Sequence, residues 1–198
     1  MTRSLPPSQA LEMVRDAAPL DATPSPAEDA DFHEMFESHF QYVWNSLRRL
    51  GIPLRELEDV THDVFLRVYR QRHQYDPSRP VRPWLFAFAF RVASDYRRLA
   101  RHRLEVLGAP SDDVDPEPSA VDQLMRAEAL SAGRAALETL ELGRRAVFIL
   151  YELDGCPMQE IALTLGIPVN TAYSRLRLAR EQFRACIERM QHLSLIHI

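Results

Sequence analysis

The chain has 198 residues, of which 46% are apolar, so it is long enough to bury one core of ordinary size or two small ones. Its two cysteines form no CxxC pair and no histidine spacing suits zinc, which excludes a disulfide framework and predicts no metal site. The net charge of -4 hides a strong segregation: residues 41–103 carry 13 arginines against 6 acidic residues, whereas residues 104–122 carry 6 acidic residues and no basic one.

The N-terminal 30 residues contain five prolines among serines, alanines and acidic residues. Such a composition buries too little apolar surface to fold, so it predicts a disordered leader over residues 1–30. No apolar segment follows the early Arg3, and the pattern therefore does not match a secretory signal. We expect a cytoplasmic protein.

Two amphipathic helices are predicted on either side of the GIP sequence at residues 51–53. Apolar side chains recur there at three- and four-residue spacing: Phe36, Phe40, Val43 and Leu47 before GIP, and Leu57, Val60, Val64, Phe65 and Val68 after it. The proline-rich sequence YDPSRPVRP interrupts the pattern, and a third helix is predicted from about Trp84 to Arg103.

The third predicted helix begins with seven consecutive apolar residues, Trp84 to Phe90, and ends in arginines. This run is far shorter than the roughly 18 to 20 residues that cross a bilayer, so no membrane insertion is expected. We predict that one face packs in the core and that Phe86 and Phe90 lie to the side of it. The predicted core face consists of Leu85, Phe88, Val92, Tyr96 and Leu99. Trp84 either caps this core or lines a pocket.

Residues 104–122 form a predicted flexible linker, since they combine glycine, proline and acidic residues with little periodicity. The chain is predicted to be helical again over roughly residues 121–191, and no alternating strand pattern of useful length occurs anywhere. The predicted fold class is therefore all-α, with two small helical domains, residues 31–103 and 123–192, joined by a flexible acidic linker.

The sequence MQEIALTLGIPVNTAYSRLRLAREQF predicts a helix-turn-helix in the second domain, with Gly166 in the turn. Its first helix has Ile161, Ala162 and Leu165 facing inward. Its longer second helix has an apolar stripe of Ala172, Leu176, Ala179, Phe183 and Ile187, and an opposite polar stripe of Tyr173, Arg177, Arg180 and Arg184. Residues near the start of such a helix reach DNA in a major groove, so the candidate contacts are Asn170, Thr171, Tyr173, Ser174, Arg175, Arg177 and Arg180. A solvated amphipathic helix that contacts no DNA is the alternative.

Four segments, in this order and spacing, resemble the extracytoplasmic-function (ECF) group of bacterial sigma factors. They are LEDVTHDVFLRVYR, RPWLFAFAFRVASDYRR, LETLELGRRAVFILYELDG and EIALTLGIPVNTAYSRLRLAR, within residues 36–190. The resemblance implies a subunit that binds core RNA polymerase at the clamp of its β′ subunit and directs it to promoter DNA. The first domain is then expected to engage the clamp and the minus-ten element, and the second the minus-thirty-five element.

The resemblance also implies roles for individual residues of the first domain. LEDVTHDVFLRVYR aligns with the helix that docks on the clamp, which implies contacts by Glu58, Asp59, Asp63 and Arg67. The third helix aligns with the segment that opens and reads the minus-ten element, which favours strand capture by Trp84, Phe90, Arg91, Arg97, Arg98 and Arg101. Two positions depart from the family pattern, because Arg91 replaces a common asparagine and Tyr173 a frequent lysine or arginine. An anti-sigma factor is the expected regulator.

A stand-alone helix-turn-helix regulator that binds operator DNA as a dimer is the competing interpretation. It explains the second domain equally well, but it leaves the clamp-like helix and the proline-rich loop before Trp84 unexplained. No enzymatic activity, cofactor or small-molecule substrate is predicted. The His62–Asp63 pair lacks the further clustered ligands that a metal-dependent phosphohydrolase needs.

The last six residues, 193–198, read LSLIHI and share no pattern with the arginine-rich helix before them. They look like the translation of a transposon-end adapter used for sequencing libraries, so we predict that they are an artefact. The coding DNA tests this prediction, since a stop codon within unrelated genomic sequence would contradict it.

Overall fold

The computed structural model describes the backbone of residues 26–107 and 121–196, and the side chains within residues 31–100 and 130–192. In chain order its helices are α1 (Pro26–Leu50), α2 (Leu54–Arg70), α3 (Val81–Leu107), α4 (Val121–Glu138), α5 (Leu142–Phe148), α6 (Met158–Leu165) and α7 (Val169–Ile196). A 3-10 turn at Arg72–Gln74 follows α2, and a π-helical turn at Ile149–Leu153 continues α5. No strand occurs in this described part of the chain, and the prediction of an all-α fold is confirmed.

The first half of the molecule is a three-helix unit in which α1, α2 and α3 pack against one another. The GIP sequence makes the turn between α1 and α2. Gly51 has a φ of 95° in the left-handed region, and the amide of Ile52 donates to the carbonyl of Leu47 at 3.1 Å. This hydrogen bond spans six residues and ends α1. The side chain of Ile52 is buried and packs in the core.

The third helix buries a wider face than its periodicity predicts. Leu85, Phe88 and Val92 are buried as expected, but Phe86 is also fully buried and Leu99 is 59% exposed. The predictions that Phe86 lies to the side and that Leu99 belongs to the core are therefore wrong. The physical reason is that α3 packs against α1 and α2 on one side and against α6 on another.

The second half contains the predicted helix-turn-helix, made of α6 and α7. Gly166 has a φ of 63° at the end of α6, and the amide of Ile167 donates to the carbonyl of Ala162 at 3.0 Å. The predicted inward-facing side chains are buried or half-buried: Ile161, Ala162, Leu165, Ala172, Leu176, Ala179, Phe183 and Ile187. Glu141 caps the preceding helix α5, because its carboxylate accepts from the amides of Gly143 and Arg144 at 3.0 and 3.3 Å.

Helix boundaries differ from the predictions by a few residues at two places. Helix α1 already begins at Pro26, and proline is well suited to the first turn of a helix. Helix α3 continues to Leu107, beyond its predicted end near Arg103, whereas α4 begins at Val121, where helix was predicted to resume. Residues 1–25 and 108–120, which carry most of the predicted leader and linker, lie outside the described residues, as do the side chains of residues 193–198.

The two halves also pack against each other. Helix α3 contacts α6, and α1 contacts both α4 and α5. Buried apolar side chains of the two halves belong to one continuous cluster, which includes Leu50 and Phe86 from the first half and Ile149 and Ile161 from the second. The core therefore extends across the junction of the two predicted domains.

Candidate nucleic-acid interface

A pocket of about 200 Å³ lies where the α2–α3 loop and the start of α3 meet α6. Aromatic, apolar, acidic and basic side chains all contribute to its wall. Those residues are Gln71, Gln74, Tyr75, Asp76, Arg79, Pro80, Pro83, Trp84, Ala87, Phe88, Arg91, Glu160, Leu163 and Thr164. We call this site the loop pocket.

Trp84 lines the loop pocket and also packs against the buried core, so it combines both of the roles that the sequence left open. Its ring lies 4.9 Å from the ring of Tyr75 and 5.1 Å from that of Phe88, measured between centroids. The proline-rich sequence that leads into α3 also lines the pocket, through Pro80 and Pro83. The pocket therefore offers the flat apolar faces on which an unstacked base can lie.

Arg91 supplies the positive charge of the loop pocket. Its guanidinium lies 5.7 Å from the centroid of the Phe88 ring, and burial lowers the pKa of Arg91. Within the described residues, Nη1 of Arg91 and Oε1 of Gln71 are buried and have no hydrogen-bond partner. An unpaired donor and an unpaired acceptor thus lie behind the wall of one pocket, and their side chains would have to turn toward the pocket to meet the polar edge of a nucleobase.

The other residues predicted for strand capture do not line this pocket. Phe90 and Arg97 are half-buried, whereas Arg98 is exposed and its Nη2 lies 3.3 Å from a carboxylate oxygen of Asp95. The side chain of Arg101 lies outside the described residues. The structure therefore brings together Trp84 and Arg91, and leaves the remaining arginines further along α3.

The start of α7 presents most of its predicted DNA contacts to solvent. Asn170, Tyr173, Ser174, Arg177 and Arg180 are exposed, and Tyr173 has 53% of its surface accessible. Thr171 and Arg175 are half-buried. The guanidinium of Arg175 lies against Gly143, where an added Cβ would be only 2.9 Å from its Nη1. Arg175 thus packs on the start of α5.

Carboxylates already hold two arginines of this helix. Nη1 of Arg177 lies 2.7 Å from Glu181, and Nε of Arg180 lies 2.6 Å from Glu152. The guanidinium of Arg180 also lies 5.2 Å from the ring centroid of Tyr151, and its hydrogen bond with Glu152 raises the pKa of Arg180. These exposed pairs are weak in water and can exchange a carboxylate for a phosphate.

The residues implied as polymerase contacts lie along α2. Glu58 and Asp59 are exposed, while Asp63 and Arg67 form an ion pair at 3.1 Å. Arg67 also reaches Asp95 of α3 at 3.4 Å, so it ties the two helices together. Leu66, in the same helix, is 56% exposed and adds an apolar group that the sequence did not single out.

Most residues that line the loop pocket were missed by reasoning on sequence, which named only Trp84 and Arg91 of them as site residues. Among those missed, Gln71, Tyr75 and Arg79 come from the α2–α3 loop, which the sequence marked only as an interruption of helices. The aromatic Tyr75 within a proline-rich segment was the available signal. Among the described residues there is no cluster of three metal-ligating side chains, and none of the helices described there is long and apolar enough to span a membrane.

Family models match both halves of the chain. The model described as sigma-70 region 2 covers residues 35–103, which include α2 and the loop pocket wall of α3. The model described as sigma-70, region 4 covers residues 134–183, which include the helix-turn-helix.

Relatives of known identity are similar over most of the chain. The ECF RNA polymerase sigma factor SigL of Mycobacterium tuberculosis is 31% identical, over 83% of this chain and 93% of SigL. SigE of Mycolicibacterium smegmatis, also named an ECF RNA polymerase sigma factor, is 31% identical over 84% of this chain. The chain spans only 65% of the length of SigE. The RNA polymerase sigma factor CnrH of Cupriavidus metallidurans is 27% identical, over 79% of this chain and 86% of CnrH.

Two solved structures share the fold. RpoE of Bartonella quintana, crystallised with the anti-sigma factor NepR, matches with a TM-score of 0.66 at 19% identity, over 80% of this chain and 97% of RpoE. CnrH in complex with the cytosolic domain of CnrY matches with a TM-score of 0.57 at 22% identity, over 92% of this chain and 95% of CnrH.

Proposed function

Because this chain belongs to the ECF group of the sigma-70 family, we propose that it binds core RNA polymerase, directs the polymerase to promoters and helps to open promoter DNA. One observation carries the proposal. A single chain combines the exposed start of α7 with a pocket whose aromatic and cationic groups come from the α2–α3 loop and α3, on the two segments that the family models match. We keep the division into domains at residues 31–103 and 123–192 as part of the proposal.

We assign contact with the minus-thirty-five element to the start of α7. The exposed side chains of Asn170, Tyr173 and Ser174 lie where a recognition helix meets base edges. Arg177 and Arg180 follow on the same polar stripe and exchange Glu181 and Glu152 for phosphates of the duplex. Thr171 and Arg175 are supporting contacts at the edge of this surface.

We assign binding of the minus-ten element to the loop pocket and to the arginines that follow it along α3. An unpaired base stacks on Trp84, and its polar edge pairs with Arg91 and Gln71 once their side chains turn toward the pocket. Phe90 lies beside the pocket along α3, and Arg97, Arg98 and Arg101 follow the phosphates of the same strand. The chain holds and reads DNA and forms no covalent bond, so it is a regulatory subunit without enzymatic activity of its own.

We assign the contact with core polymerase to the exposed carboxylates of α2. Glu58, Asp59 and Asp63 offer negative charge to the clamp of the β′ subunit, while Arg67 keeps Asp63 oriented. Leu66 adds apolar area to this surface. Because the protein is proposed to act together with the polymerase, its proposed location is the cytoplasm. An anti-sigma factor is the proposed regulator, because the two structures of similar fold were solved as complexes that include NepR and CnrY.

Run-off transcription with purified core polymerase on genomic fragments tests the proposal. Initiation at defined start sites is expected only when the full chain is added. A control reaction contains the chain with Glu58, Asp59 and Asp63 replaced by alanine, which should bind polymerase poorly and give little product. A stand-alone operator-binding regulator would instead bind duplex DNA specifically without polymerase and would not create new start sites.

A further inference from the structure

The first two turns of α7 present uncharged side chains to solvent. Among residues 169–176, which we call the tip of α7, Asn170, Tyr173 and Ser174 are exposed, whereas Arg175 is half-buried. The three exposed residues lie three and four positions apart, so they share one face of the helix. An amide, an aromatic ring and a hydroxyl are therefore the groups that this face brings to a groove.

The arginines of α7 nearest to the tip have partners elsewhere. Arg175 packs on the start of α5. Nη1 of Arg177 lies 2.7 Å from Glu181, one turn toward the C-terminus, and Nε of Arg180 lies 2.6 Å from Glu152. Arginine and lysine are the usual readers of guanine, because they donate to both O6 and N7. Within residues 169–176 no exposed side chain supplies this pair of donors, so the tip favours other bases.

The amide of Asn170 matches adenine. Its oxygen can accept from the N6 amine while its nitrogen donates to N7, which satisfies both halves of the amide at once. In the major groove guanine presents two acceptors and cytosine presents a donor alone, so neither base satisfies both halves. Asn170 is exposed at the start of α7 and therefore indicates an adenine in the element that this helix reads.

The hydroxyl of Ser174 favours the same base. Its Oγ donates to the backbone carbonyl of Asn170 at 2.9 Å, so the helix already holds the proton of this hydroxyl. The oxygen that remains exposed acts as an acceptor. An acceptor suits the N6 amine of adenine and does not suit O6 of guanine. Both polar groups of the tip thus agree.

The ring of Tyr173 reaches the neighbouring base pair. It follows Asn170 by three residues, which is about 4.5 Å along the axis of a helix. Successive base pairs are about 3.4 Å apart, so the two side chains address adjacent pairs. The C5-methyl of thymine is the apolar group that bases present in the major groove, and the exposed aromatic ring is its natural partner.

We propose that Tyr173 is a specificity-determining residue, which selects thymine by packing its ring on the C5-methyl group, beside an adenine that Asn170 reads. The inference rests on the proposed contact between α7 and the minus-thirty-five element, and it adds that the tip recognises two adjacent A·T pairs. Arg177 and Arg180 then bind phosphates, which position the helix without reading the sequence. Because 5-methylcytosine carries its methyl group at the same ring position, the tip should also prefer 5-methylcytosine to cytosine.

Selection from a duplex pool with a randomised minus-thirty-five element identifies the base pairs. The pool is bound by the complex of core polymerase with the full chain, and two adjacent A·T pairs are expected in the selected element. The Tyr173→Arg variant should exchange the thymine pair for a G·C pair, because it supplies the paired donors that guanine requires.

Fluorescence anisotropy with the same complex then isolates the methyl group. Replacing the selected thymine with uracil removes only this group, and binding should weaken about fourfold. At the same position 5-methylcytosine should bind about fourfold more tightly than cytosine. Tyr173→Phe should keep both ratios, whereas Tyr173→Ala should bring both close to one. The control is Arg189→Ala, an exposed residue later in α7, which should keep the natural ratios.

Equal binding of the thymine and uracil duplexes by the natural sequence would overturn this role of Tyr173. The base substitutions need no protein variant, so they decide the question even where a variant fails to fold. Selection of guanine at both positions, lost in Arg177→Ala, would assign the readout to Arg177 instead. With polymerase-dependent initiation intact, these results overturn the specificity alone, whereas absence of initiation would overturn the proposed function itself.

Discussion

Arg91 and Arg145 are both withdrawn from water, but only Arg145 has acceptors for both of its terminal nitrogens. Arg145 donates to three backbone carbonyls, and burial lowers its pKa to about 10 with a further contribution from the charge of Arg97. Nη1 of Arg91 finds no acceptor in the described part of the chain. Nε of Arg145 is also buried without a partner among the described residues. An unpaired buried donor destabilises a fold, and under the proposed function Arg91 offsets this cost by binding promoter DNA.

Replacing Arg91 with methionine should separate these two effects. Arg91→Met keeps an unbranched apolar stem and removes the unpaired donor, so we expect an unchanged or higher urea midpoint. Open-complex formation by the polymerase containing the variant, measured by permanganate reactivity of the promoter, should fall about tenfold. Polymerase binding should be unaffected. A lower urea midpoint with normal promoter opening would show that Arg91 is a structural residue instead.

Gly51 gives a second prediction for a single residue. Gly51→Ala requires a left-handed backbone for alanine and brings its Cβ against Nη1 of Arg145. We expect a loss of about 1 to 3 kcal/mol in the free energy of unfolding, measured by urea titration. Gly133→Ala is the matched control, because an added Cβ there meets nothing within 4 Å and alanine favours a helix. Equal stability of the two variants would contradict the close approach of Arg145.

At the scale of elements, α7 divides its surface lengthwise. Ala172, Leu176 and Ala179 are buried against the rest of the second half, while Tyr173 and Arg177 remain exposed. The small buried side chains allow α6 and α7 to cross closely, and the left-handed Gly166 reverses the chain between them. The helix is therefore held by one side and can enter a groove with the other.

Replacing Arg177 tests the polar side of α7. Arg177→Ala should raise the dissociation constant of the polymerase complex for a minus-thirty-five duplex about tenfold, since a lost phosphate or base contact costs about 1 to 3 kcal/mol. Fluorescence anisotropy at two salt concentrations also tests for a smaller salt dependence. The control is Arg189→Ala, an exposed arginine later in the same helix that reaches only the carbonyl of Ala185 at 3.2 Å. Equal losses in the two variants would argue against a local contact.

At the scale of the whole molecule, the continuous core predicts how the chain unfolds. Buried apolar side chains from both halves form one cluster, and Arg145 links the halves from within it. We therefore expect a single calorimetric transition whose calorimetric and van't Hoff enthalpies agree. Two well-separated transitions in the natural sequence would mean that the halves fold independently.

The sequence alone was sufficient for the features that local chemistry controls. Helical spacing, the GIP turn and Gly166 predicted α2 and the helix-turn-helix, because each depends on residues within a few positions of one another. The exposed start of α7 followed from the same periodicity. Four segments in fixed order also indicated the family, which the comparison with SigL confirmed.

Only the tertiary structure decided which faces of α3 are buried and where a pocket forms. Periodicity allows one apolar face per helix, but α3 has neighbours on more than one side, so Phe86 is enclosed while Leu99 extends beyond its partners. The pocket combines Gln71, Trp84 and Glu160, which come from three separate segments. Contacts such as that between Arg145 and Leu50 join residues far apart in the chain, and no local pattern encodes them. The packing of the two halves against each other therefore depends on tertiary contacts, whereas the helices themselves follow from the local sequence.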